Sequence, residues 1–373
     1  MIAFLTSAHP PLDDRIFYHF AKSLIKYNPV IISSIEELET TKDSIIIDSF
    51  RHSSGSKKNK IIRFVEKLNK YNPNIIICSE PITIIAAHKY NKRTNSKARI
   101  IFDITEWYPS KKNIEGLSTL SKLIKLFILS IFNIYSSIYA NAFIFGEYYK
   151  SIPYRILFPF KKNITVSYYP DLKYLIHTPP SKLTNEICMG YSGKLSKEKG
   201  IFNFMNAIQE LTKLVPEFNI KVKIIGEFAS EIEKDKFNNQ IKNMPQLEAI
   251  IMPQIPFEKF SCELQNIDLF FDLRAIDFEN TRCLPIKLFY YMACERPVIY
   301  SNLKAINHEI KNFNFGYLVN PHQPKEIAAL IHNYIINNEL YMEHSKLARI
   351  NVEKIYNWNN IKQTLTDFID TIN

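Results

Sequence analysis

Two kinds of hydrophobic spacing alternate along this chain. Short unbroken apolar runs stand at MIAFLTS, VIISS (30–34), SIIID (44–48), NIIIC (74–78), RIIFDI (99–104) and AFIF (142–145). Several are separated by stretches whose apolar residues fall three and four apart. After the first run, Asp13 or Asp14 can cap a helix with Ile16, Phe17, Phe20, Ala21, Leu24 and Ile25 on its inner face. Apolar strands alternating with helices predict a parallel sheet covered on both faces.

The alternation breaks at SYYPDLKYLIHTPPSKLTNE (167–186), which holds three prolines and no clear period, and so predicts a linker. It then restarts. ICMGYSG predicts a strand and GIFNFMNAIQELTKL a helix, with later strands at KVKIIG, EAIIM, DLFFD, PVIYS and GYLV. The fold class is therefore α/β, with two Rossmann-like domains in tandem. SSGSKKNK (53–60) reads as a solvated loop.

Leu126 to Gly146 carries no charge over 21 residues, enough to cross a bilayer. However, Ser130, Asn133, Ser136, Ser137 and Asn141 interrupt it, and AFIF follows. A buried helix leading into a buried strand is the simpler expectation. Lys111, Lys112, Lys122 and Lys125 just upstream also suit a contact with a membrane surface. The first residues lack a basic leader and meet polar HPPLDD early, which predicts a strand rather than a secretion signal.

Composition narrows the class. With 46% hydrophobic and 23% charged residues, the chain can fill cores, which excludes disorder as the main state. Glycine is scarce, 8 in 373, against about 7% in average usage, so each one is expected where little else fits. Cys78, Cys188, Cys262, Cys283 and Cys294 are scattered without a C-x-x-C, suggesting neither disulfides nor zinc and fitting a reducing cytosol. The net charge of +10 comes from scattered lysines without a recognition helix, which argues against nucleic acid.

Four segments carry candidate chemistry. Gly193-Lys194-Leu195-Ser196-Lys197-Glu198-Lys199-Gly200 joins a strand to a helix, where free N–H groups and lysines suit a phosphate or diphosphate. Leu284 to Cys294 opens a helix with Pro285 at its start, facing the same strand ends. Asp103-Ile104-Thr105-Glu106-Trp107-Tyr108 ends a strand with polar and aromatic residues that can line a sugar. His9 to Arg15 forms the loop after the first strand. Metal-ligand spacing is absent, including the Asp-x-Asp that holds a divalent ion on a nucleotide sugar.

Together these segments resemble a family 4 retaining glycosyltransferase of the GT-B fold. HPPLDDRIFYHFAKSLIKY is similar to that family's opening loop and helix, and FDITEWYPS to its acceptor-side loop. YSGKLSKEKGIFNFMNAI, LPIKLFYYMACERPVIYS and GYLVNPHQPKEIAALI resemble its donor motifs, and NWNNIKQTLTDFI its terminal helix. The resemblance implies two Rossmann-like domains around a central cleft. The acceptor-side domain would be 1–166, the linker 167–186, the nucleotide-sugar domain 187–355, and a terminal helix 356–373 would cross back to the first domain.

It also implies roles. Lys194 and Lys199 would stabilise the departing diphosphate, with Gly193, Glu279, Pro285, Leu288 and Tyr290 around the donor. Asp103, Glu106 and Arg282 would be catalytic, and His9, Arg15 and Thr105 would face the acceptor. A metal and a resident cofactor are not implied; the co-substrate would be UDP- or GDP-linked. The family's two donor-site glutamates, eight positions apart, fall at Arg282 and Tyr290 here. Thr105 stands at a frequent histidine. The implied function is transfer of a sugar to a glycan or lipid-linked acceptor in polysaccharide, O-antigen or capsule synthesis. It would occur in the cytoplasm or on the cytoplasmic face of the inner membrane. A non-catalytic GT-B subunit partnering another transferase is the alternative.

Overall fold

A computed structural model describes residues 1–51 and 56–372. It divides into two compact units, Met1–Tyr168 with Asn359–Asn373, and Tyr169–Trp358. The first unit holds β1 (Ile2–Leu5), β2 (Val30–Ser33), β3 (Glu39–Lys42), β4 (Ile45–Asp48), β5 (Ile75–Cys78), β6 (Arg99–Ile104), β7 (Ala142–Phe145) and β8 (Lys162–Thr165). Their order in the sheet is β3-β4-β2-β1-β5-β6-β7-β8. Neighbours run parallel except the β3–β4 pair, which is antiparallel. The inner strands β1, β2, β5 and β7 are buried at every position, as continuous apolar runs in a two-sided sheet should be. The two strands that the apolar pattern does not predict, β3 (ETTK) and β8 (KNIT), are polar edge strands.

The second unit holds β9 (Glu186–Ser192), β10 (Asn219–Ile225), β11 (Leu247–Met252), β12 (Leu269–Asp272), β13 (Val298–Ser301) and β14 (Gly316–Val319). They form a fully parallel sheet in the order β11-β10-β9-β12-β13-β14. One core joins Met189, Tyr191, Val222 and Phe271 of the sheet to Phe204, Ile208, Ile327 and Ile331 of the helices Ile201–Leu214 and Pro324–Ile336. Residues 169–186, expected as a linker, belong to this unit and include a short turn of helix at Leu172–Tyr174. The closing helix Trp358–Ile372 lies with the first unit, where Lys162 Nζ donates to the Thr371 carbonyl (2.7 Å).

Asp13, not Asp14, caps the first helix, accepting from the N–H groups of Arg15 and Ile16. That helix begins with π-helical winding over Asp14–Ala21 and ends in the turn Lys22–Leu24. Of the expected 53–60 loop, residues 53–55 lie outside the described residues, and Lys57 to Lys60 start a helix, Lys57–Tyr71.

The larger correction concerns the uncharged stretch. It forms the helix Thr119–Ile138, but this helix is not buried. Leu120, Leu123, Phe127, Ile128 and Ile138 are all more than half exposed, with Ile124, Ile131 and Tyr135 beside them. The buried positions are Leu129, Asn133, Ser136 and Ser137. The helix is inside-out, with polar side chains toward the protein and a broad apolar stripe toward the outside. Lys161 closes its end by donating to the carbonyls of Ser137, Ile138 and Ala140. A cation suits the negative end of the helix dipole, and burial brings this lysine's pKa down to about 8.

Candidate functional site

Open parallel sheets bind ligands where strand order reverses, beyond the carboxyl ends of the two strands flanking the reversal. In the second sheet that point lies between β9 and β12. Two segments leave the sheet there, residues 193–200 after β9 and residues 273–282 after β12.

Glycine lets these segments approach one another. Gly226, at the end of β10, has φ +153°, and a Cβ there would overlap the Gly193 carbonyl oxygen. Gly193 itself donates its N–H to the Ile225 carbonyl (2.8 Å). Gly200 has φ +91° and begins the 201–214 helix; a Cβ there would overlap the backbone of Leu273. Further bonds tie the two segments, from Ala275 N–H to the Glu198 carbonyl (3.0 Å) and from Asn203 to the Leu273 carbonyl (2.9 Å).

Lysines gather on this frame. Lys199 Nζ donates to Asn280 Oδ1 (3.1 Å) and lies 3.7 Å from the Glu198 carboxylate. Lys194 is exposed beside Gly193. Lys287 adds an ammonium beyond those expected from the sequence. Its Nζ donates to the Ser192 carbonyl (2.9 Å) and occupies the space that a Cβ on Gly193 would fill. The signal was available, since Lys287 follows Pro285-Ile286 at a helix start aimed at the same strand end.

The other expected donor residues differ. The helix is short, Lys287–Ala293, and two of its early N–H groups are already used. Leu288 N–H donates to the Pro285 carbonyl (3.1 Å) and Phe289 N–H to the Ile286 carbonyl (3.2 Å). Positive charge therefore comes from the Lys287 side chain, not from those N–H groups. Leu288 and Tyr290 have buried side chains, which corrects the expectation that they touch the donor. Tyr290 is held edge-on by Phe257 and Phe260. Arg282 folds back over the Phe278 ring (4.1 Å to its centroid) and donates to the Phe278 carbonyl. Glu279 is half-buried next to Asn280, the partner of Lys199. Arg274, also unforeseen, pairs with Asp272 at the end of β12, and that carboxylate raises its pKa against the opposing effect of burial.

In the first sheet the reversal falls between β1 and β5. His9, after β1, lies 3.3 Å from Asp13. Burial alone would lower the His9 pKa, but the Asp13 hydrogen bond and charge, with Glu80 and Glu106 farther off, raise it to about 9. His9 is thus an imidazolium at neutral pH. Glu80, missed in the sequence, stands after β5 and accepts from Thr6 Oγ1 (2.9 Å) and from Ser7 N–H (2.7 Å). Glu106 is exposed. Arg15, Asp103 and Thr105 are buried, which corrects their placement at an acceptor or in the reaction. Arg15 and Asp103 satisfy one another in a two-bond fork (2.9 and 2.7 Å), and Arg15 also donates to the Val166 carbonyl (2.8 Å). Such a pair holds structure, because losing either partner strands a buried charge.

Residues 176–350 match the family model "Glycosyl transferases group 1". No curated protein sequence matches the chain. Among solved structures, a sucrose-phosphate synthase from Thermosynechococcus elongatus superposes with TM-score 0.75 at 13% identity, covering 100% of this chain and 98% of its own. Anabaena Alr3699/HepE in complex with UDP gives TM-score 0.71 at 12% identity, covering 99% of both chains. An Escherichia coli structure described as trehalose-6-phosphate, bound with UDP-2-fluoro glucose, gives TM-score 0.69 at 12% identity, covering 98% of each chain. At such identities the likeness establishes the fold, which is GT-B. The 176–350 segment is a group 1 glycosyl transferase domain, and the chain is a glycosyltransferase.

Gly226→Ala meets both a backbone overlap and a left-handed φ, so it should cost about 2 kcal/mol or more. That corresponds to a melting temperature lower by roughly 4–8 °C; an unchanged value would contradict the described contact. The His9 pKa is raised on folding, so its stabilising contribution is complete below its ordinary 6.5 and disappears as pH rises through about 9. Urea unfolding of wild type and His9→Gln should therefore differ most at pH 6 and converge above pH 9. A gap that widens with pH would contradict the ion pair.

Proposed function

We propose that this glycosyltransferase is of the retaining, family 4 type. It transfers a hexose from a UDP- or GDP-linked donor to a glycan or lipid-linked glycan acceptor, in the assembly of a surface polysaccharide such as capsule, O-antigen or lipopolysaccharide. One observation carries the donor half of this reading. Lys199 and Lys287 stand at the glycine-bound end of β9, at the reversal point of the second sheet, and Lys194 is exposed in the same segment. Three ammonium groups suit a diphosphate. UDP is the favoured nucleotide, because HepE and the trehalose-6-phosphate structure were solved with UDP and UDP-2-fluoro glucose.

In the transfer, the bond between the sugar's anomeric carbon and the diphosphate oxygen breaks. An acceptor oxygen bonds to the same face of that carbon, and its proton passes to the departing phosphate. Preorganised ammonium groups stabilise the charge that develops on that oxygen, an effect worth on the order of 3 kcal/mol per group. They supply the charge without a metal or resident cofactor. In the first unit, Glu106 and His9 are the accessible acceptor-side residues. His9, already protonated at neutral pH, serves as a hydrogen-bond donor and not as a base. The exposed apolar stripe of the 119–138 helix, with Lys122 and Lys125 near its start, suits lying in the plane of an anionic membrane surface. The cytoplasmic face of the inner membrane is the expected place.

A specific observation favours the second reading, a non-catalytic subunit. The positions of the family's two glutamates hold Arg282, stacked on Phe278, and Tyr290, buried, and neither side chain carries a carboxylate. Calorimetric titration of UDP and GDP in EDTA separates the readings. Wild type should bind one nucleotide, and Lys199→Met and Lys287→Met should each weaken it by about tenfold or more, as loss of a charge-assisted hydrogen bond implies. Absence of nucleotide binding contradicts the donor site. Binding without turnover of any sugar conjugate favours the subunit reading.

A further inference from the structure

Between Glu115 and Asp171 the chain carries one carboxylate, Glu147, and that one is buried in an ion pair with Lys150. The same stretch holds Lys122, Lys125, Arg155, Lys161 and Lys162. It also holds a second exposed apolar segment besides the stripe of the 119–138 helix. Ile156, Leu157 and Phe160 are 71%, 52% and 99% exposed. Lys161 N–H donates to the Phe158 carbonyl (3.1 Å), closing the turn that presents Phe160.

The two apolar surfaces are contiguous. Ile134 of the helix and Leu157 are both exposed and border the same depression. The Lys161 ammonium donates to the Ser137 and Ile138 carbonyls (both 2.7 Å), so the turn before it adjoins the C-terminal end of the helix. Contiguous exposed apolar surface rimmed by polar groups marks an interaction site.

Charge decides between occupants. Two copies of this face would bring the exposed Lys122, Lys125 and Arg155 against their like, in a chain that already carries +10. An anionic bilayer instead takes up the apolar side chains and attracts the cations around them. The neighbouring helix continues the basic character, with the Lys57 ammonium over the Phe132 ring (5.9 Å to its centroid). The 119–138 helix is also tied to the fold. Asn133 donates to the Tyr108 carbonyl (3.2 Å) and the Tyr154 hydroxyl (2.8 Å), and Lys161 holds its end. It is therefore placed to lie along a bilayer and not to cross one.

We propose that the 156–160 segment is a second anchor on an anionic bilayer, with Ile156, Leu157 and Phe160 inserted beside the 119–138 stripe and Arg155, Lys122 and Lys125 at the headgroup phosphates. This rests on the membrane reading of the helix given above and adds a contact that the reading does not require. One helix lying on a surface leaves its unit free to roll about the helix axis. A second contact beside it removes that freedom and fixes which face of the first unit looks away from the bilayer.

The test uses the full chain and vesicles of phosphatidylglycerol mixed with phosphatidylcholine, against phosphatidylcholine alone. Wild type should co-sediment with the anionic vesicles, and less so as salt screens the attraction. Phe160→Ser should bind them about tenfold more weakly, as loss of one buried aromatic side chain implies. Its melting temperature should stay at the wild-type value, because the ring is 99% exposed in the free protein. Phe160→Trp should give a blue-shifted emission with vesicles, quenched by brominated acyl chains beyond the response of Trp107 and Trp358 in wild type. Absence of vesicle binding by wild type overturns this proposal and the membrane reading together. Wild-type binding that Leu123→Ser/Phe127→Ser abolishes, with Phe160→Ser binding normally and the Phe160→Trp emission unmoved, overturns the second anchor alone. Equal binding to phosphatidylcholine vesicles, or a vesicle-free dimer that Phe160→Ser dissolves, also overturns it.

Discussion

The carboxyl end of the second sheet, where the candidate site lies, depends on one steric fact, that Gly193 and Gly226 have no Cβ. Their backbones meet where β9 and β10 end, and the Lys287 ammonium occupies the place a side chain on Gly193 would take. With any larger residue at Gly226, the 193–200 segment would be pushed from the sheet. Lys194 and Lys199 would move with it. In a chain with only 8 glycines, three of them at one corner reflect this geometric demand.

The two units treat charge differently. In the first, Arg15 and Asp103 neutralise one another in the core, and the imidazolium of His9 is held among carboxylates. In the second, Lys199 has a neutral amide as its nearest partner, with Glu198 at 3.7 Å, and Lys287 is held by a carbonyl. The carboxyl end of β9 thus gathers ammonium groups, which suits a phosphate-bearing ligand on the second unit.

Much of the fold was legible in the sequence, because buried parallel strands must be continuous apolar runs. The six runs of the second half correspond to β9 through β14. The edge strands β3 and β8 escaped because a strand with one free edge and a wet face needs no apolar run. The site was half legible. Loop position pointed to Lys194 and Lys199, but spacing along the chain could not show that Asp103 and Arg15 would find each other 88 residues apart. Nor could it show that Phe257 and Phe260 would bury Tyr290. Glu80 was overlooked because its meaning comes only from β5 lying beside β1. The 119–138 helix misled for a related reason. Apolar content predicts burial, but the few polar residues, Asn133, Ser136 and Ser137, mark the side that faces the protein.

The central claim is that the lysines at the end of β9 hold a nucleotide's diphosphate. A crystal structure of the chain soaked with UDP in EDTA tests it most directly. The account predicts β-phosphate oxygens within hydrogen-bond distance of Lys199 Nζ or Lys287 Nζ, beside Gly193. A nucleotide bound elsewhere on the chain, or phosphates turned away from both ammonium groups, would contradict it.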